Sequence, residues 1–163
     1  MPKLSAGLLL YRETDGLLEV LLGHPGGPFW ARKDDGAWSI PKGEYTEGED
    51  PWTVAQREFV EETGAPPPAG VRIELAAVRQ AGGKVVTAFA VPGDLDPADA
   101  TSNTFILEWP RGSGIFKEFP EIDRVAWFDL TTARAKLLTG QRPLLDRLEE
   151  ALGRDEPGGS RSR

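Results

Sequence analysis

The chain has 163 residues, 39% hydrophobic and 28% charged, a size and balance that fit one folded domain and exclude a disordered tail or a membrane protein. Its 26 acidic and 19 basic side chains leave a net charge of −7, which argues against sequence-independent binding to a nucleic-acid backbone. With no cysteine and a single histidine, His24, there is no disulfide framework, thiol nucleophile, zinc–thiolate site or multi-histidine metal site. The longest apolar stretch, around Leu8 to Tyr11, is too short to span a bilayer, and no signal-peptide pattern accompanies it. A cytoplasmic protein with no membrane partner is the expectation. An acidic protein can still handle a phosphate substrate when a divalent cation sits between its carboxylates and the phosphate oxygens.

In chain order, Leu4–Tyr11 and Leu18–Leu22 read as strands joined by the turn Glu13-Thr14-Asp15-Gly16. A glycine- and proline-rich loop follows from Gly23 to Gly36, and a short apolar piece, Ala37–Ile40, ends at Pro41-Lys42-Gly43. Asp50 is a good helix N-cap, Pro51 suits the first helical position, and Gly64 with Pro66-Pro67-Pro68 makes a firm stop. Val71–Arg79 and Lys84–Val91 flank a hairpin turn at Ala81-Gly82-Gly83. Thr104–Trp109 and Arg124–Phe128 are further strands, with a loop beginning at Arg111–Ser113 between them. Thr131–Leu138 and Pro143–Leu152 have helical spacing, the latter with an apolar stripe of Leu144, Leu145, Leu148 and Leu152. Residues 1–152 are expected to form one domain, a mixed sheet covered on both faces by helices, and 153–163 a polar, disordered tail.

The helix after Asp50 carries the chemistry. Glu58, Glu61 and Glu62 are spaced i, i+3 and i+4, so three carboxylates share one face, while Trp52, Ala55 and Phe59 fall on an adjacent one. Carboxylates this close repel, Arg57 can pair with only part of the charge, and a hard divalent cation would resolve the rest. A solvated glutamate face is the ordinary reading of such a helix. The surrounding residues decide against it. Gly43, Glu49 and the run Arg57-Glu58-Phe59-Val60-Glu61-Glu62-Thr63-Gly64-Ala65 spell G-x5-E-x7-R-E-U-x-E-E-x-G-U, with U apolar. Seven fixed identities at roughly 7% each arise by chance on the order of once in 10⁸ starting positions.

This pattern matches the Nudix box without a mismatch, and the chain resembles the Nudix hydrolases. The resemblance implies an α/β/α sandwich with a mixed β-sheet between helices, and Mg²⁺- or Mn²⁺-dependent cleavage of a nucleoside diphosphate linked to another moiety. It implies that Glu58, Glu61 and Glu62 hold metal, with Glu58 also the candidate base. A carbonyl of Lys42 or Gly43 would add a backbone ligand, and Glu49 and Arg57 a supporting ion pair. Family members often add a carboxylate from outside the box, for which Glu121, ahead of Glu118, is the candidate.

Trp38-Ser39-Ile40-Pro41-Lys42-Gly43 is similar to the W-x-x-P-K-G element of hydrolases acting on diadenosine polyphosphates. The implied reaction splits diadenosine tetraphosphate into ATP and AMP. The tyrosine that such enzymes often carry about 17 or 18 residues past the last box glycine is replaced here by Ala81 and Gly82. Base stacking then passes to Trp30 or Trp109, and phosphate contacts to Lys42, Lys84, Arg12 and Lys33, with His24 a further candidate. Nucleoside triphosphates, ADP-ribose and the RNA 5′ end are alternative substrates, and a non-catalytic nucleotide-sensing module is an alternative of another class. The expected partner is a small nucleotide, with no stable nucleic-acid partner, on a monomer or homodimer.

Overall fold

In a computed structural model, which describes residues 2–153, β1 (Leu4–Thr14) and β2 (Leu17–Pro25) form an antiparallel hairpin. Asp15 and Gly16 make its turn at φ 53° and 79°, the doubly left-handed geometry that an Asp-Gly pair supplies. Next in the chain come β3 (Lys42–Tyr45), α1 (Pro51–Thr63), β4 (Ile73–Arg79) and β5 (Val85–Pro92). After them stand β6 (Thr104–Glu108), β7 (Phe116–Pro120), β8 (Ile122–Asp129), α2 (Leu130–Lys136) and α3 (Pro143–Ala151).

The main sheet has the order β4-β5-β1-β2-β8. β1 runs parallel to β5, and the other neighbours are antiparallel, so the sheet is mixed. β3 takes the first half of the edge of β1 that β2 takes further on: Leu4–Gly7 pair with β3 and Tyr11–Thr14 with β2. Side-chain alternation along β1 builds two cores. Leu9 joins Val20, Leu22 and Val86 against Leu144, Leu145 and Leu148 of α3, whereas Ala6, Leu8 and Leu10 pack against Val54, Ala55 and Phe59 of α1. The helices therefore cover both faces, as expected for an α/β/α sandwich.

Several elements differ from the sequence reading. β3 was not anticipated because Lys-Gly-Glu-Tyr has no apolar alternation; the open edge of β1 supplies its pairing. β7 lies where a loop was expected and pairs with β6 as a separate two-stranded sheet. β2 continues through Gly23, His24 and Pro25, because the edge of β8 pairs with residues whose types read as loop. β4 begins at Ile73, not Val71, which stands 84% exposed. Of the tail, residues 154–163 lie outside the described residues. Among the described residues, no helix is long and apolar enough to cross a membrane.

Candidate active site

α1 is set by its ends and its buried side. Asp50 accepts a hydrogen bond from the Thr53 N–H (3.2 Å), and Gly64 closes the helix in the left-handed region at φ 74°. Val54, Ala55, Phe59 and Thr63 are buried, which turns Glu58 and Glu62 toward β3 and the loop before it. The last turn is tied to the strands beyond it: the Asn103 N–H donates to the Glu61 carbonyl and the Glu121 N–H to the Asn103 carbonyl, both at 2.8 Å. This relay serves a helix-terminal carbonyl and brings Glu121 beside the box.

From Trp38 to Pro41, the segment before β3 is held at every backbone group. Trp38 is buried, donates its indole N–H to Asp34 (2.8 Å), and meets His24 and Phe128 edge-on at 5.2 and 5.0 Å. The Trp38 N–H donates to the Lys136 carbonyl, and Ser39 exchanges both backbone bonds with Gly23. The Pro41 carbonyl accepts from Leu8, and the Lys42 N–H donates to Oε1 of Glu62 (3.2 Å). Two glycines make the approach possible. A Cβ on Gly7 would stand 2.6 Å from Ile40 Cδ1 and 2.8 Å from the Pro41 oxygen, and one on Gly43 would fall inside the carboxyl group of Glu58.

The result is a cleft of about 410 Å³ that brings Glu58, Glu62, Glu121, Lys42, Lys84 and Asn103 together at the start of β1. Burial pushes the Glu62 carboxyl up to about 8, opposed by the Lys42 N–H and reinforced by Glu58. Glu58 is raised by the same burial and by Glu61, against the pull of Arg57, whose Nε stands 3.6 Å away. Burial also lowers the Lys42 ammonium; Glu62 opposes that shift and Lys84 adds to it. Arg57 reaches Glu49 at 3.3 Å, and Glu49 accepts from the Thr46 N–H at 3.0 Å, so the expected pair ties the loop to the helix. Among the described residues, no three acidic groups form a ready-made cation cage. Two part-buried carboxylates set against the Lys42–Gly43 loop are a donor set that fits a hard divalent cation completing its shell with phosphate oxygens and water.

The remaining sequence candidates lie elsewhere. The side chain of Glu61 is exposed and does not line the cleft, because the helix turns i+4 inward and i+3 to the rim. Glu118 accepts from the Thr104 hydroxyl on the outer hairpin. Arg12 is a correction: it sits near the opposite end of β1, about 23 Å along the strand from Ser5 in the cleft. There it bonds Glu19 (2.9 Å) and Asp94 (2.6 Å) and lies 4.0 Å over the Trp127 ring. Trp30 packs against the core beneath α2 and α3, with Lys33 over its ring. Trp109 meets the half-exposed Phe29 edge-on at 5.2 Å, outside the cleft. His24 is fully buried, its Nε2 donating to the Lys33 carbonyl (2.6 Å) and its Nδ1 facing Asp123 (2.9 Å), so it holds the loop and does not line this cleft.

The NUDIX domain model matches residues 1–148. The chain belongs to the Nudix hydrolase family. Nudix hydrolases generally use divalent metal ions, in keeping with the carboxylates gathered here. Among solved Nudix structures, the NUDIX domain of Shewanella oneidensis NrtR, complexed with ADP ribose, superposes with a TM-score of 0.63 at 18% identity, over 93% of this chain and 89% of that one. Caenorhabditis elegans Ap4A hydrolase gives 0.59 at 22% identity, over 93% and 99%. Both show the shared fold. An RNA pyrophosphohydrolase of Rhodospirillum rubrum is 45% identical over 65 residues, which are 39% of this chain and 38% of that relative.

Proposed function

We propose that this Nudix chain hydrolyses a dinucleoside polyphosphate, splitting diadenosine tetraphosphate into ATP and AMP with Mg²⁺ or Mn²⁺. The observation that carries the reading is the pairing, in one cleft, of the carboxylates Glu58, Glu62 and Glu121 with the ammonium groups of Lys42 and Lys84. A lone diphosphate needs little beyond the carboxylate end; a longer phosphate chain has oxygens left over for the lysines. Glu58 and Glu62, with Glu121 and a carbonyl of Lys42 or Gly43, would hold the cation, and Glu61 on the rim is available to a further one. When bound, the cation neutralises phosphate charge and acidifies water. Glu58, which lines the cleft, accepts the proton of the attacking water. Lys42 and Lys84 orient the bridge, and the Trp109–Phe29 pair is the aromatic surface offered to a base.

A second reading, removal of pyrophosphate from an RNA 5′ end, is favoured by the 45% identity to the R. rubrum enzyme over the matched stretch. One panel separates the two: diadenosine polyphosphates, triphosphates, ADP-ribose and 5′-triphosphorylated RNA, each with Mg²⁺ and Mn²⁺, in heavy-oxygen water. The proposal expects the highest kcat/KM on a dinucleoside polyphosphate. A value more than tenfold higher on RNA, ADP-ribose or a single triphosphate would replace it.

A further inference from the structure

We infer that Gln141 is a positioning residue for the Lys42–Gly43 segment, acting from the helical layer behind the sheet. The inference rests on the reading of that segment as part of the catalytic site. Gln141 ends the turn of Thr139–Gln141 that leads into α3, and its side chain is fully buried. All the bonding capacity it shows is directed at two places. Its Oε1 accepts the Ile40 N–H (3.0 Å), while its Nε2 donates to the Ser39 hydroxyl (2.9 Å) and to Oε1 of Gln80 (2.8 Å).

The neighbouring donors of this segment have partners of their own. Trp38 and Ser39 donate to backbone carbonyls, Pro41 has no N–H, and Lys42 donates to Glu62. The Ile40 N–H relies on a side chain 101 residues further along the chain, and the bond is buried. A buried backbone donor must be satisfied, so losing Gln141 forces the segment to move or to admit water. Movement at Ile40 is transmitted to Lys42, only two residues on, and thence to Glu62 and Glu58. The Ser39 hydroxyl, which also donates to the Ile40 carbonyl at 2.8 Å, belongs to the same clamp. Gln80, at the start of the β4–β5 turn, holds the far side of the Gln141 amide.

The test compares Gln141→Leu, Gln141→Glu and Gln80→Ala in the full chain. Amide hydrogen exchange of Ile40, Lys42 and Gly43 in metal-free protein is read alongside kcat, nucleotide KM and the Mg²⁺ concentration giving half-maximal rate. In folded Gln141→Leu, exchange at Lys42 and Gly43 should rise at least tenfold and the Mg²⁺ requirement at least fivefold, with KM within twofold of wild type. Gln141→Glu, which keeps an oxygen for the Ile40 N–H, should restore both to within threefold. Gln80→Ala should lower Tm and leave both unchanged. Wild-type exchange and Mg²⁺ requirement in Gln141→Leu would overturn the inference, as would a Gln80→Ala variant that matched its losses. If Gln141→Leu does not fold, Gln141→Asn takes its place; too short to reach Ile40, it should show the same losses, and wild-type behaviour would overturn the inference. Should no nucleotide in the panel be hydrolysed, the substrate reading fails on its own, and the exchange measurements still decide the role of Gln141.

Discussion

Gly43→Ala tests how closely the loop must approach Glu58. The added Cβ would overlap the Glu58 carboxyl group and stand 2.6 Å from its Cγ. Carbon atoms in contact settle near 3.5 Å or beyond, so the carboxylate must withdraw by about 1 Å or more. The backbone has no reason to resist: Gly43 is not among the positive-φ glycines, and the obstructing atoms are the end of a flexible side chain facing the cleft. Stiffening the unfolded chain contributes about 0.4–1 kcal/mol of stability, against a low-end overpacking cost of about 1 kcal/mol. Tm should then stay within about 4 °C of wild type. A displacement of about 1 Å in a group that orients the reaction costs about 10²-fold in rate, or about 2.7 kcal/mol of barrier. The assay is kcat on the best substrate of the panel together with scanning calorimetry. A variant with kcat within threefold of wild type would refute the reasoning about Glu58, and a Tm lowered by more than about 8 °C would show that the backbone moved instead.

Metal-free protein should lose stability as pH rises. The Glu62 carboxyl is held at about 8 in the folded state against 4.5 for its ordinary value, so folding binds a proton that the unfolded chain has released. Its stabilising effect is complete below pH 4.5 and is lost progressively up to pH 8, at most about 5 kcal/mol, with Glu58 acting in the same direction. Melting in chelator at pH 5 and pH 8.5 should show the fall, and Glu62→Gln should flatten it; an identical profile in the variant would remove Glu62 as its source. Arg12→Ala should leave kcat/KM within twofold of wild type while lowering stability by about 1–2 kcal/mol, because it removes two ion pairs and a ring contact far from the cleft. A tenfold loss of kcat/KM at unchanged stability would return Arg12 to the site.

What the sequence made legible was local chemistry at fixed spacing. The Asp-Gly turn and the Asp50 cap are each encoded by residues whose types allow few alternatives. What it hid depends on pairing between distant segments. Glu121, the candidate from outside the box, reaches the cleft through the Asn103 relay, and Asn103 carries no local signal of that part. Arg12 was misplaced because alternation along β1 tells which face a residue takes but not which end of the strand opens onto the cleft; β3 decides that by pairing with Leu4–Gly7. Trp38, part of the W-x-x-P-K-G element, is an anchor buried beneath the loop, and a motif alone cannot separate such an anchor from a contact residue. A spacing rule shows that Glu61 and Glu62 share a face with Glu58, but only the packing of Phe59 and Thr63 shows which of the two turns inward.

The central claim is that Glu58, Glu62 and the Lys42–Gly43 segment together hold the divalent cation at which the phosphate chain is cut. The most direct measurement is the anomalous diffraction of Mn²⁺ in crystals grown with a non-hydrolysable dinucleoside tetraphosphate. The account predicts a manganese peak within about 2.5 Å of carboxylate oxygens of both Glu58 and Glu62, sharing a phosphate oxygen, and its disappearance in Glu58→Gln crystals. Manganese bound to the phosphates with neither glutamate among its ligands would contradict it.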